Sequence, residues 1–320
     1  MTRLLLNIRL ERNKNMLDIA LLGTGGMMPL PNRFLTSMLA RHEGRLMMID
    51  CGEGTQVTLK MLGWGFKNID IICFTHYHAD HISGLPGLLL TIGNSERHEP
   101  IHIVGPPGLN HIVRSLLVIA QGLPFDIILH ELPEKHNEED LVFDKYHLKY
   151  LVMDHRITCF GYKIIVRRKG RFDVDRAKSL GLPVNYWSTL QKGELVNYNG
   201  KEYTPDMVLG PERKPIQVCY CTDSRPVNGL ADFARGSDLF ISEGIYGDDE
   251  KRDKAIAYKH TTFREAAETA KQAAVKELWL THYSPSVINP KEHVQAVREV
   301  FPNTIAAHDR MTKSIKFEDE

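Results

Sequence analysis

A continuous apolar stretch, Ile69–Thr75, runs directly into His76-Tyr77-His78-Ala79-Asp80-His81, and few folds accommodate that succession. The stretch reads as a buried strand. A strand sends alternate side chains to one side, so His76 and His78 face the same way. A turn after them lets Asp80 and His81 converge on the same spot. Buried and unpaired, so many polar groups would cost on the order of several kcal/mol. Imidazole nitrogen and carboxylate oxygen are the donors that borderline divalent metals such as zinc prefer. The segment calls for a fold in which strand ends gather around a metal.

The rest of the chain bounds what that fold can be. Its 320 residues carry 40 basic and 40 acidic side chains, so nucleic-acid binding needs a local patch rather than a general excess of positive charge. With 42% hydrophobic and 25% charged residues it reads as a soluble globular protein, which excludes disordered and collagen-like classes. No apolar run approaches the ~20 residues that span a bilayer, so no membrane partner is expected. Residues 1–15 bring Arg9, Arg12 and Lys14 soon after Leu4–Leu6, without the long apolar core of a signal peptide. Five cysteines without a C-x-x-C pair predict reduced, packed thiols and a cytoplasmic protein.

Short apolar strands separated by Gly- and Pro-rich turns alternate with helices, a pattern that predicts mixed α/β architecture with sheets covered by helices. Helices are expected at Glu53–Leu62, His81–Ile92, Pro107–Gln121, Gly229–Ala234, Thr262–Ala274 and Pro290–Phe301. The acidic run Glu131–Asp144 reads as a solvated loop. Lys163–Lys178 holds seven basic and two acidic residues and precedes a segment poor in apolar periodicity, so an insertion at about 167–215 is expected to project from the main body. The main domain is then 16–320, after an N-terminal extension at 1–15.

The His-x-His-x-Asp-His motif resembles the signature of the metallo-β-lactamase superfamily. The resemblance implies a four-layer αβ/βα sandwich with two metals at one sheet edge. It also implies further ligands, which match His155 in Met153-Asp154-His155-Arg156, Asp223 in Cys221-Thr222-Asp223-Ser224-Arg225-Pro226, and His282 in Thr281-His282-Tyr283. One metal would take His76, His78 and His155, the other Asp80, His81 and His282, with Asp223 shared. The expected cofactor is two Zn2+ per chain, with Mn2+ or another divalent metal as alternatives. Two metals about 3.5–4 Å apart can hold a hydroxide and clamp both oxygens of an in-line phosphoryl displacement. Gly84 and Gly87 fit a close turn beside the metals or ordinary turn positions.

Within that superfamily, three stretches are similar to the ribonuclease Z family: Asp50-Cys51-Gly52-Glu53-Gly54-Thr55, Asp223-Ser224-Arg225-Pro226, and Ser242-Glu243-Gly244 followed by Lys259-His260-Thr261-Thr262-Phe263-Arg264-Glu265. The family removes 3′ trailers from precursor tRNA, which implies that substrate and a homodimer. Thr262 and Glu265 have capping-box spacing, so a helix should begin there, offering free N–H groups to a phosphate. His260 beside it can donate a proton to the leaving oxygen, with Glu243 as its carboxylate partner. The family suggests Asp80 as general base, though a purely ligating role stays open. The basic insertion matches the family's tRNA-gripping arm, where Arg167, Arg168, Lys169 and Arg171 would neutralise phosphates, and Tyr186 and Trp187 would stack or pack. The family's Gly-Pro-rich arm tip is replaced here by Gly181-Leu182-Pro183-Val184-Asn185-Tyr186-Trp187. Three other readings stay open: a phosphodiesterase for cyclic nucleotides or other small phosphodiesters, an RNA-binding module with a vestigial metal site, and a nucleotide-binding loop at Gly23-Thr24-Gly25-Gly26. The last lacks the Lys and Ser/Thr of a P-loop.

Overall fold

The computed structural model describes residues 15–135 and 140–318. The expected N-terminal extension thus lies outside the described residues but for Asn15, as does 136–139 of the acidic run. The described chain forms two compact units. The first runs through Ile165 and resumes over Ile216–Lys316; the second is Val166–Pro215 with Phe317 and Glu318.

The strands are β1 (Met16–Gly23), β2 (Ser37–His42), β3 (Arg45–Ile49), β4 (Ile69–Cys73), β5 (Ile101–Gly105), β6 (Ile127–Glu131), β7 (Leu141–Phe143), β8 (Tyr146–Met153), β9 (Cys159–Arg168), β10 (Val196–Tyr198), β11 (Lys201–Tyr203), β12 (Arg213–Cys221), β13 (Leu239–Glu243), β14 (Leu278–Thr281), β15 (Thr304–Ala306) and β16 (Thr312–Lys316). Among the described residues they form two seven-stranded sheets, ordered β16-β1-β2-β3-β4-β5-β6 and β15-β14-β13-β12-β9-β8-β7, and one small hairpin, β10-β11. Strands β3 to β6 are parallel, as are β12 to β15, and each parallel run is joined by helical crossovers.

Alternation within the strands explains the layering. In the first sheet Ala20, Leu22, Leu39, Met48, Ile72 and Ile103 pack under α1 (Thr55–Leu62), α3 (Leu85–Gly93) and α4 (Leu109–Leu116). The intervening Ile19, Leu21, Met38, Met47, Ile49 and Ile71 are equally buried but belong to the other face. That face meets the second sheet: Tyr146 Oη of β8 donates to the carbonyl of Arg45, and Tyr162 Oη of β9 to that of Phe74. The second sheet's outer face is covered by α7 (Leu230–Ala234), α9 (Phe263–Gln272) and α10 (Lys291–Arg298) through Leu230, Ala234, Phe263, Ala266, Ala270 and Val294. Helix, sheet, sheet, helix is the four-layer order expected.

The helix expected over His81–Ile92 is two helices, α2 (Ala79–Ile82) and α3. Tertiary hydrogen bonds break it: Cys51 N–H takes the His81 carbonyl at 2.7 Å and Gly84 N–H donates to the Cys51 carbonyl at 2.9 Å. A Cβ at Gly84 would lie 2.2 Å from the Gly52 carbonyl oxygen, so only glycine permits this approach. Pro107–Gln121 likewise shortens to α4 and a 3₁₀ turn at Leu117–Ile119. A helix not foreseen, α8 (Arg252–Tyr258), precedes His260. The ends of the acidic run are strand rather than loop, in β6 and β7.

In the second unit, α5 (Val174–Ser179), α6 (Trp187–Gln191) and the β10-β11 hairpin enclose a core of Ala177, Leu182, Leu190, Val196, Tyr203 and Val208. Trp187 packs inward, its ring 5.5 Å from Phe172 and its indole N–H on the Leu182 carbonyl at 2.9 Å. Tyr186 lies 5.4 Å from Tyr198. Both aromatic residues therefore pack. Arg167 pairs with Glu212 at 3.1 Å and Arg168 covers the Phe317 ring at 5.1 Å. Lys169 donates to the Lys192 carbonyl, and Arg171 shares this unit. Lys163 belongs to the first unit, buried in β9.

Candidate metal centre

The donors sit where strands of the first unit end: His76 and His78 after β4, His155 after β8, Asp223 after β12, Glu243 at the end of β13 and His282 after β14. The carboxyl ends of parallel strands are where open α/β sheets place ligands. Asp223 and His282 stop their strands abruptly, with φ of 51° and 55°. A non-glycine residue there costs on the order of 1–3 kcal/mol, a strain that clusters at functional sites. Gly26 packs flat on the His282 ring, where a Cβ would lie 2.6 Å from Cε1.

His76 Nε2 stands 2.9 Å from His78 Nδ1, and His155 Nε2 stands 3.2 Å from the same atom. Opposite them, His81 Nε2 and His282 Nε2 are 3.3 Å apart, with Asp80 Oδ2 3.6 Å from the first and 3.4 Å from the second. Asp223 lies between the sets. Its Oδ2 is 2.9 Å from both His81 Nε2 and His282 Nε2, and its Oδ1 is 3.9 Å from His155 Nε2. The structure thus brings all seven residues together, as His76/His78/His155 and Asp80/His81/His282 around one aspartate, with ligand atoms in each set within 4.8 Å of one another. A further set, Asp223/Glu243/His260/His282, reuses Asp223 and His282.

Burial lowers the pKa of His76, His78 and His155, leaving neutral imidazoles whose nitrogens face one another. At most one proton can lie between such a pair, so this arrangement suits a cation. In the other set burial disfavours charge on His81, but Asp50, Asp223 and Asp80 outweigh it and raise its pKa to about 10. Burial likewise opposes charge on His282, which Asp223, Asp80 and Glu243 overcome. Burial pushes the Asp80 and Asp223 carboxyls up, and His81 and His282 more than offset it, so both stay anionic. Asp223 Oδ2 is buried and, for all its near neighbours, has no aligned hydrogen bond, and His282 Nδ1 shares that condition. Concentrated buried negative charge, neutral imidazoles and an orphaned carboxylate oxygen fit divalent metal ions.

His260 stands beside this cluster. The capping box is formed, with Thr262 as N-cap of α9 and Glu265 reciprocating. His260 Nδ1 is 3.0 Å from Glu243 Oε2 and 3.6 Å from Asp223 Oδ1. Burial opposes its charge, but Glu243 and then Asp223 prevail and raise its pKa. Glu243 Oε1 is fixed by the N–H groups of Ser224 and Thr261 at 2.6 and 3.1 Å.

Sequence reasoning gave no role to Asp50, although its motif was visible. Fully buried, Asp50 accepts from Thr75 N–H at 2.8 Å and faces His81 Nδ1 at 2.8 Å, turning Nε2 toward Asp223. Met27 was also missed: its N–H donates to Asp80 Oδ2 at 2.7 Å from a left-handed conformation, φ 71°. The centre opens into a cavity of ≈ 550 Å³ with His78, Asp80, His155 and His260 on its wall and Arg156, Lys254 and Tyr258 also lining it.

A family model described as Anti-Pycsar protein Apyc1 matches residues 17–119, the part that holds the His76–His81 motif. The human tRNase Z short form (ELAC1) superposes with TM-score 0.67 at 25% identity, over 94% of this chain and 100% of that one. The metallo-β-lactamase fold protein YhfI from Bacillus subtilis, at 18% identity, TM-score 0.66 and 94% and 100% coverage, shares the fold. Over 305 residues, 95% of this chain and 100% of the relative, Ribonuclease Z of Lachnospira eligens is 55% identical. Ribonuclease Z of Clostridium kluyveri is 54% identical over 307 residues, with the same shares. With this fold, this donor set and these relatives, the chain belongs to the ribonuclease Z family.

Proposed function

We propose that this protein is a metal-dependent endoribonuclease that hydrolyses a phosphodiester to remove 3′ trailers from precursor tRNA. One observation carries the reading: in a chain 55% identical to a Ribonuclease Z, members of two adjoining donor sets and the Glu243-paired His260 line one cavity. His76, His78 and His155 would hold one Zn2+, and Asp80, His81 and His282 a second, with Asp223 common to both. Bound there, such ions supply Lewis acidity to the phosphoryl oxygens and acidify water. Asp80, held by the Met27 N–H, accepts a proton from the attacking water. His260, charged through Glu243, returns a proton from Nε2 to the leaving oxygen as the P–O bond breaks. Arg167, Arg168, Lys169 and Arg171 would bind the tRNA body as an inserted arm, in a homodimer. Five buried free cysteines suit the reducing cytoplasm.

The test is incubation of zinc-reconstituted protein with a trailer-bearing precursor tRNA and, separately, with bis(p-nitrophenyl) phosphate. Release of an intact trailer, abolished by chelation and by Asp80→Ala, is expected. Hydrolysis of the small diester with precursor tRNA left intact would instead identify a small-molecule phosphodiesterase. Metal analysis should return about two ions per chain, the number two donor sets require.

A further inference from the structure

We infer that Arg225, clasped to Glu265, is a positioning residue that aims His260 at the leaving oxygen; the inference rests on the endoribonuclease reading above. Arg225 follows Asp223 by two residues, and its side chain is only 16% exposed. One guanidinium nitrogen donates to the His260 carbonyl at 2.5 Å and to Glu265 Oε2 at 2.8 Å, while the other donates to Glu265 Oε1. A planar fork can close on a carboxylate and a carbonyl together, which a single ammonium cannot reproduce.

The far end of the clasp is rigid. Glu265 Oε2 also takes the Thr262 N–H at 3.0 Å, and Oε1 takes Arg252 Nε at 3.1 Å, so the carboxylate is locked to the start of α9. The near end is rigid too, because Arg225 N–H donates to the Asp154 carbonyl at 3.1 Å, next to His155. One residue therefore ties together the loops that carry His155, Asp223 and His260, the first through its backbone and the last through its guanidinium.

His260 needs such a tie. It follows Lys259, whose φ of 59° reverses the chain in a conformation that is strained for a non-glycine residue. Its N–H is taken by the Ala255 carbonyl at 2.8 Å, its Nδ1 by Glu243 and its carbonyl by Arg225. Only Nε2 is left for chemistry, and the ring lines the cavity. Releasing the carbonyl frees the backbone to rotate and carries Nε2 with it. A displacement of about 1 Å can cost 10²-fold in rate.

The test uses zinc-loaded full-length protein and the variants Arg225→Lys, Glu265→Gln, His260→Ala and Arg225→Lys/His260→Ala. Each is assayed on precursor tRNA and on bis(p-nitrophenyl) phosphate, whose leaving group departs without a proton. Metal content and Tm are measured alongside. A clasp that aims His260 lowers kcat on RNA by about 10- to 100-fold with little change in KM. The ratio of RNA to aryl-diester turnover should fall in Arg225→Lys and in Glu265→Gln as it does in His260→Ala, at unchanged metal content. The double variant should be no slower than His260→Ala alone, because both changes remove one function. Equal loss on the two substrates, loss of metal, or additive losses in the double variant would overturn the inference. If wild-type protein hydrolyses the aryl diester but leaves precursor tRNA intact, the endoribonuclease reading itself fails and the inference falls with it.

Discussion

Asp223 and His260 make separable demands on experiment. Asp223 presents one oxygen to His81 and His282 and the other toward His155, so Asp223→Ala should lower occupancy of both metals together, read by elemental analysis. Retention of one ion at full occupancy would contradict a shared ligand. His260 is assigned to no metal, so His260→Ala should leave metal content intact while lowering turnover on RNA by roughly 10²–10⁴-fold, the usual range for proton transfer. The His76–His81 donors were legible because four of them crowd into six positions, and the Glu243–His260 pair because Ser242-Glu243-Gly244 and Lys259-His260-Thr261 resemble a family pattern beside a helix start that a capping box marks. Asp50 and Met27 were not. A buried aspartate in a Gly-rich turn has many uses, and only the folded chain shows that Asp50 faces the Nδ1 of His81. Met27 acts through a backbone N–H, which every residue but proline possesses, so no side-chain pattern could reveal it.

At the scale of elements, α9 carries a pH signature. Burial pushes the Glu265 carboxyl up, but hydrogen bonds from Arg225 and Thr262 outweigh it and hold the pKa at about 2, against 4.5 for the free side chain. A group whose pKa is depressed by folding contributes stability that is full above its unfolded value and lost as pH falls through the folded one. Tm should therefore drop on acidification between about pH 5 and pH 2, and in Glu265→Gln that slope should flatten. A Tm profile with the same acid slope in both proteins would remove Glu265 as its cause. Thr262→Ala should cost about 1 kcal/mol through the lost N-cap, measured by urea unfolding. The start of α9 was readable from Thr262 and Glu265. The break between α2 and α3 was not, because it arises from Cys51, distant in sequence and adjacent in space. Asn199-Gly200, both left-handed at φ 51° and 74°, is the turn chemistry of a tight hairpin, and that dipeptide is a local signal for β10 and β11 that apolar periodicity does not supply.

For the molecule as a whole, the proposed RNA-binding role of the second unit can be tested through its charge. Neutralising Arg167, Arg168, Lys169 and Arg171 together should weaken binding of a duplex-rich RNA and reduce the slope of log affinity against log salt by about 0.9 per lost phosphate contact, or ~3–4 units. Hydrolysis of bis(p-nitrophenyl) phosphate should hardly change, and an unaltered salt slope would deny these residues a role in holding RNA. The unit's charge was evident from composition, but its independent core was not. Its apolar residues are scattered among short elements, none long enough to show a period. The sheet order carries a different consequence, for biosynthesis. Met16 pairs with Lys316 and Ala20 with Thr312, so the strand that leaves the ribosome early waits for one that leaves late. Until then β1 presents an unpaired, almost wholly buried-type edge, the kind of surface that recruits other chains. Slow translation or a premature stop shortly before β16 should therefore favour aggregation over a soluble truncated product, whatever the state of the metal site.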